Sequence, residues 1–190
     1  MAKFKSFLFE VVQFIPVITL ASSFIVTGGV DLSRAATLFV LSGIGAFVIT
    51  AALIIGKVPL NPVLLGTNIW LCAGALSFGV PVTALAGVLA KAQAAGLFAC
   101  VLGVSVPLTI FSPTGFIGMS HSDPKTVRKL SLLLIVAAAI VFVWSIIMVD
   151  NIRLGGGLPF ILLNVTRRMM MRRHRPVDKR TSPAPGGSVG

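Results

Sequence analysis

The chain has 190 residues, 56% of them hydrophobic and 11% charged, with a mean hydropathy of +1.00. A soluble domain carries about 25% charged residues, so this composition excludes a chain dissolved throughout in water and makes lipid the solvent for much of it. The length holds one helical domain, and the net charge of +11 falls between and after the apolar runs, as positive-inside topology requires.

In chain order, Lys3 and Lys5 precede a first apolar stretch in the manner of a signal peptide. That stretch is long, carries Glu10 and Gln13, and is followed by no convincing small-x-small cleavage site, which predicts an uncleaved first span over residues 7–30 with Pro16 inside it. The second span is expected at Ala35 to Gly56 and stops at Lys57-Val58-Pro59; the turn Pro59 to Pro62 leads into a third at Val63 to Gly79. A helix of about 20 residues covers a hydrocarbon core of about 30 Å, so these segments have the required length or nearly so.

From Gly79 to Phe111 only Lys91 is charged, and the stretch is too long for one ordinary crossing. Division at Lys91-Ala92-Gln93 gives a fourth span at Ala92 to Phe111 and leaves Gly79 to Ala90 as a loop with a short interfacial or re-entrant helix. Irregular backbone at such depth survives only under cover of protein or water. Ser112 to Lys129 is the longest polar connection, framed by Pro107, Pro113 and Pro124, and Leu130 to Val149 is a fifth, uncharged span. Residues 176–190 end in linker composition and read as a disordered tail following a membrane domain of residues 1–175.

Charge placement decides on a sixth segment. With five crossings and a cytoplasmic N-terminus, the tail cations Arg167, Arg168, Arg172, Arg173, Arg175, Lys179 and Arg180 would lie outside. A further short segment at Leu154 to Val165 returns them to the side of Lys3, Lys5, Lys57, Lys125, Arg128 and Lys129, leaving only Arg34, Lys91 and Arg153 opposite. Twelve helical residues rise about 18 Å, short of the core, and Gly155 to Gly157 with Pro159 make a poor first turn. The fold expected is an all-α polytopic transmembrane helical bundle: five full spans plus a short sixth or re-entrant segment.

Chemistry-bearing residues are sparse. Glu10 is the one carboxylate in an expected span. With Gln13 and Asn68 it forms a possible intramembrane polar site, although Glu10 also lies close enough to the helix start to reach water or pair with Lys3 or Lys5. Thr67 and Asn68 suit interhelical hydrogen bonds, and Trp70 and Trp144 read as packing residues. In the fourth span two rows of small residues, Ala92, Gly96, Cys100 and Ala95, Ala99, Gly103, allow another helix to approach closely.

Cys72 and Cys100 sit in apolar stretches without disulfide or metal spacing, and His121 and His174 have no second ligand type nearby, so no cofactor or metal is expected. His121 and Asp123 in a polar loop read as solvated groups. Arg167, Arg168, Arg172, Arg173 and Arg175 read as a membrane-surface anchor, with Met169 to Met171 dipping toward the acyl boundary. Attraction of these cations to anionic lipid headgroups explains the tail better than nucleic-acid binding, which would call for interleaved aromatics.

The layout resembles the bacterial intracellular septation protein A family over roughly residues 7 to 175. The family's opening motif of an acid, Phe, a hydrophobic residue and Pro is met by Gln13-Phe14-Ile15-Pro16, without the acid. Its Ala-Ala-Thr start of the second span is met by Ala35-Ala36-Thr37, its basic residue before the fourth span by Lys91, and its Pro-to-Lys-Leu approach to the fifth by Pro124 to Leu130. The chain departs from the family in having no Tyr and in its triple glycine.

The resemblance implies a multi-pass protein of the bacterial inner membrane, tied to envelope upkeep or septation and not a known enzyme. The function expected is non-catalytic, through helix contacts with another membrane protein or a second copy, with both termini cytoplasmic. The alternative is a small oligomeric carrier or channel using Glu10, Gln13 and Asn68.

Overall fold

The computed structural model describes residues 12–19, 32–56, 58, 60–79, 83–119, 123–149, 151 and 153–174, without the side chains of 32–35, 83–86, 88–91 and 93. Its helices are α1 (residues 12–19), α2 (Leu32–Ile55), α3 (Pro62–Gly79), α4 (Thr83–Phe111), α5 (Pro124–Ile147) and α6 (Leu158–Arg173), the last preceded by a π-helical turn at Arg153–Gly157. Among the described residues four helices are long and apolar enough to cross a membrane: Ala36–Ile55, Pro62–Gly79, Ala94–Phe111 and Pro124–Ile147. That is one fewer than the five full spans expected. The expected first span lies mostly outside the described residues, as do Lys3, Lys5, Glu10, His121, Arg175 and the tail 176–190.

Two boundaries depart from expectation for local reasons. Within the stretch expected as a loop with a short helix, Thr83 to Ala90 is the start of α4, which continues through Lys91 as one helix of 29 residues. Lys, Ala and Gln are strong helix formers, so a single charge marks no break in the backbone. α5 begins at Pro124, not Leu130. Asp123 caps it, accepting from the backbone N–H of Lys125 (3.0 Å) and Thr126 (3.1 Å), with Pro124 in the first turn, where its missing N–H costs nothing.

The helices pack in sequence order, α2 on α3, α3 on α4, α4 on α5 and α5 on α6. α3 is the innermost: 56% of its membrane window is buried, against 22% for α2 and 28% for α4 and α5. The outward faces are apolar, with Leu41, Ile44, Phe47 and Val48 on α2 and Val136, Ile140 and Val143 on α5 exposed. Such faces suit hydrocarbon, and helices in lipid then hold together by close packing and internal hydrogen bonds, not by exclusion of water.

Glycine supplies the close packing. A Cβ on Gly66 would lie 2.5 Å from Val101 Cα, so α3 and α4 meet backbone to backbone there. A Cβ on Gly74 would lie 2.6 Å from the Phe39 ring, and one on Gly43 would lie 2.6 Å from the Leu71 carbonyl oxygen. A methyl on Gly96 would collide with the Trp70 indole, which is buried against α4.

α6 runs antiparallel to α5. At one end Trp144 Nε1 donates to the Leu154 carbonyl at 3.0 Å, and Gly155 lies against Met148. At the other end Leu163 shares a core with Val63, Phe98, Phe116, Val127, Leu130 and Leu134. The helix does not stop at Val165, the expected end of the short segment, but continues through the arginines to Arg173.

Candidate functional site

The described polar side chains concentrate at the end of the bundle where α3 and α5 start and α4 and α6 finish. The connection from Ser112 to Met119 is irregular backbone, yet Phe116 and Ile117 are completely buried. Gly115 (φ 60°) and Gly118 (φ 69°) take the left-handed conformation that lets the chain fold back on itself. Buried irregular backbone must find partners within the protein, and it does. Ser131 Oγ accepts from the Ile117 N–H at 3.2 Å, and Arg167 Nε donates to the Ile117 carbonyl at 3.0 Å. Both backbone polar groups of one residue are thus held by side chains from α5 and α6.

A chain of amides lies beside this loop. Gln13 Oε1 accepts from the Asn61 N–H at 2.9 Å, tying α1 to the start of α3. Asn61 Oδ1 accepts from the Val63 N–H at 3.1 Å, and Asn61 Nδ2 donates to Asn164 Oδ1 at 3.4 Å. Asn164 Nδ2 in turn donates to the Phe160 carbonyl at 3.0 Å. Phe14 meets Phe160 edge to face, ring centroids 6.4 Å apart, so α1 rests on α6 through both a polar and an aromatic contact.

The expected polar site is therefore divided. Gln13 belongs to the Asn61–Asn164 chain, whereas Asn68 sits between α2 and α3 and donates from Nδ2 to Thr50 Oγ1 at 2.8 Å. Its Oδ1 is buried without a hydrogen-bond partner, as are Ser42 Oγ and Ser145 Oγ. Glu10 lies outside the described residues. Asn61, Asn164 and Ser131 were not among the expected site residues. The available signal was the spacing Phe160, Leu163, Asn164, Arg167, which lies along a single helix face.

Arg167 is the clearest correction. Expected as part of the surface anchor, it is 6% exposed and clamps the 112–119 loop. Its guanidinium lies so near Gly118 that a Cβ there would be 2.9 Å from it and equally near Pro62 Cδ. The neighbouring Arg168, Arg172 and Arg173 are exposed. Met169 is exposed, while Met170 and Met171 pack against the core.

The small-residue rows also separate. Gly96 and Ala95 are buried and Ala92 and Cys100 half-buried, whereas Ala99 and Gly103 are exposed. Nothing stands within 4 Å of a Cβ built on Gly103. Below it, Pro107 lacks the N–H that would bond the Gly103 carbonyl, and a groove of about 410 Å³ runs along Gly103, Val104, Pro107, Leu108, Phe111 and Ser112.

Cys72 and Cys100 are free thiols, and among the described residues no group of His, Cys, Asp and Glu is arranged to hold a metal ion. Comparison with protein-family models, with curated proteins and with solved structures finds no match to this chain.

Proposed function

We propose that the chain is a non-catalytic, multi-pass protein of the bacterial inner membrane that works through helix contacts with another membrane protein or a second copy of itself, in a cell-envelope or septation-related assembly. The observation that carries this reading is the outward face of α4, where Ala99 and Gly103 are exposed above an apolar groove with open space over Gly103. Small residues on a lipid-facing surface let a second helix come within backbone distance, which is how helices associate where water exclusion gives no drive. The buried amides support the same reading, because Gln13, Asn61 and Asn164 are engaged with one another inside the bundle. The resemblance in layout supports the envelope assignment.

Orientation follows from charge. Lys125, Arg128 and Lys129 at the start of α5 and Arg168, Arg172 and Arg173 at the finish of α6 share one end of the bundle, and exposed Arg153 lies at the other. By the positive-inside rule the first end is cytoplasmic, and the exposed arginines of α6 lie against anionic lipid headgroups. A reporter fused after Gly190 should then read cytoplasmic.

Gly103→Cys, in a Cys72→Ser and Cys100→Ser background, should give a discrete crosslinked species when a bismaleimide is added to membranes. Gly103→Leu should abolish the complex recovered by gentle solubilisation while leaving the bundle folded. A chain that stays monomeric in both experiments overturns the reading.

One observation favours the carrier alternative, the buried and unpartnered Asn68 Oδ1. Proton flux in proteoliposomes that both Glu10→Gln and Asn68→Leu abolish would establish it, and flux equal to that of empty vesicles removes it.

A further inference from the structure

The exposed side of α5 carries a shallow, open groove walled by that helix alone and lined by Lys125, Arg128, Lys129, Leu132, Leu133 and Val136. The spacing of these residues by threes and fours puts them in one stripe along the helix. Val127, Leu130, Ser131 and Leu134 occupy the opposite, buried face. Within the stripe the chemistry is segregated: three cations in its first part, three branched apolar side chains in its second. From Lys125 to Val136 the helix rises about 16 Å. A single ligand that lies along it must be anionic at one end and hydrocarbon at the other.

We propose that this groove is a binding site for an anionic phospholipid, its phosphate held by Lys125, Arg128 and Lys129 and an acyl chain laid along Leu132, Leu133 and Val136. Beyond the capping Asp123, their own helix offers these cations no acidic residue. Both oxygens of Asp123 are engaged, Oδ1 with the Lys125 N–H and Oδ2 with the Thr126 N–H and hydroxyl. Arg128 offers the planar fork that grips phosphate, and the two lysines add point charges.

The apolar half of the stripe belongs to a helix long and apolar enough to span a membrane. A water-soluble acidic partner reaching the cations therefore leaves that half unoccupied, which selects a lipid over a peptide. The site is distinct from the α6 arginines and does not depend on the assembly proposed above. Loss of lipid binding leaves the helix-contact reading standing, and a monomeric chain leaves this site standing.

The full chain, delipidated in a neutral detergent, is titrated with cardiolipin, phosphatidylglycerol or phosphatidylcholine, and bound lipid is counted by native mass spectrometry. One anionic lipid should be retained in preference to phosphatidylcholine. Each of Lys125→Gln, Arg128→Gln and Lys129→Gln should weaken its binding about fivefold, and the triple variant on the order of a hundredfold. Leu132→Asn with Leu133→Asn should weaken it without altering the response to inorganic phosphate. All these side chains are exposed, and unchanged helical circular dichroism verifies the fold of each variant.

The control Arg172→Gln with Arg173→Gln removes exposed cations from the same end of the bundle and should change affinity by less than about twofold. Equal affinity in the triple variant overturns the proposal. So does an equal loss in the α6 control, which would mean general attraction to charge, or displacement of the lipid by inorganic phosphate at equal concentration, which would mean a headgroup site without an acyl groove.

Discussion

The seam where α2, α3 and α4 meet and the polar end around Ile117 hold the same bundle together by opposite means. In the seam, Gly43, Gly66, Gly74 and Gly96 bring backbones and rings into direct contact. At the polar end the backbone is irregular, and Ser131, Arg167, Asn61 and Gln13 supply the partners it needs. The difference follows from what each backbone lacks. A helix in lipid has its hydrogen bonds already and gains only by approach, so atoms must be removed; a buried loop lacks its bonds, so polar atoms must be added.

Three substitutions set the two regions against each other. Gly66→Leu has the largest expected effect, because the obstructing atoms are the Val101 backbone and cannot swing aside. It should separate α3 from α4 and cost about 3 kcal/mol or more, read from unfolding in mixed micelles. Arg167→Met keeps the length of the side chain but removes the donor to the Ile117 carbonyl. A loss of about 2 kcal/mol is expected, with proteolytic cleavage appearing between residues 112 and 119 while the seam stays intact. If Arg167→Met proves costlier than Gly66→Leu, the polar end and not the seam is the principal restraint. Gly45→Ala should have the smallest effect and the opposite sign. Nothing lies within 4 Å of its Cβ position, so the better helix propensity of alanine should stabilise the protein by up to about 1 kcal/mol in the same assay.

Hydrophobic runs alone place α2 and α3 within a few residues of their observed limits, since lipid demands long unbroken apolar helices. Less legible is anything that depends on backbone continuity. Lys91 read as a membrane edge, but a helix ends where its hydrogen bonds end, and nothing at Lys91 ends them. Pro124 marks a turn or a helix end, and the residues alone do not decide between them, because the same Asp-Pro pair that makes a turn also caps a helix. Arg167 was hidden by its neighbours: among Arg168, Arg172 and Arg173 it looks like one more surface charge, and only its helical face, shared with Leu163 and Asn164, sets it apart. The glycines of the α2–α3 contact were missed because their use lies in what the partner helix presents, and a single sequence does not pair helices.

The π-helical turn at Arg153–Gly157 leads directly into α6. Each residue of a helix advances its azimuth by about 100°, so the number of residues in that turn decides the direction in which every later side chain of α6 points. Gly155 is wedged against the Met148 carbonyl and Gly156 approaches Ala94, which fixes the starting angle from two neighbouring helices. With one glycine fewer, Asn164 and Arg167 would swing off Asn61 and Ile117, and different side chains would take their place. The triple glycine thus works as an indexing joint, and the amide chain and the arginine clamp are aligned because of how it is counted.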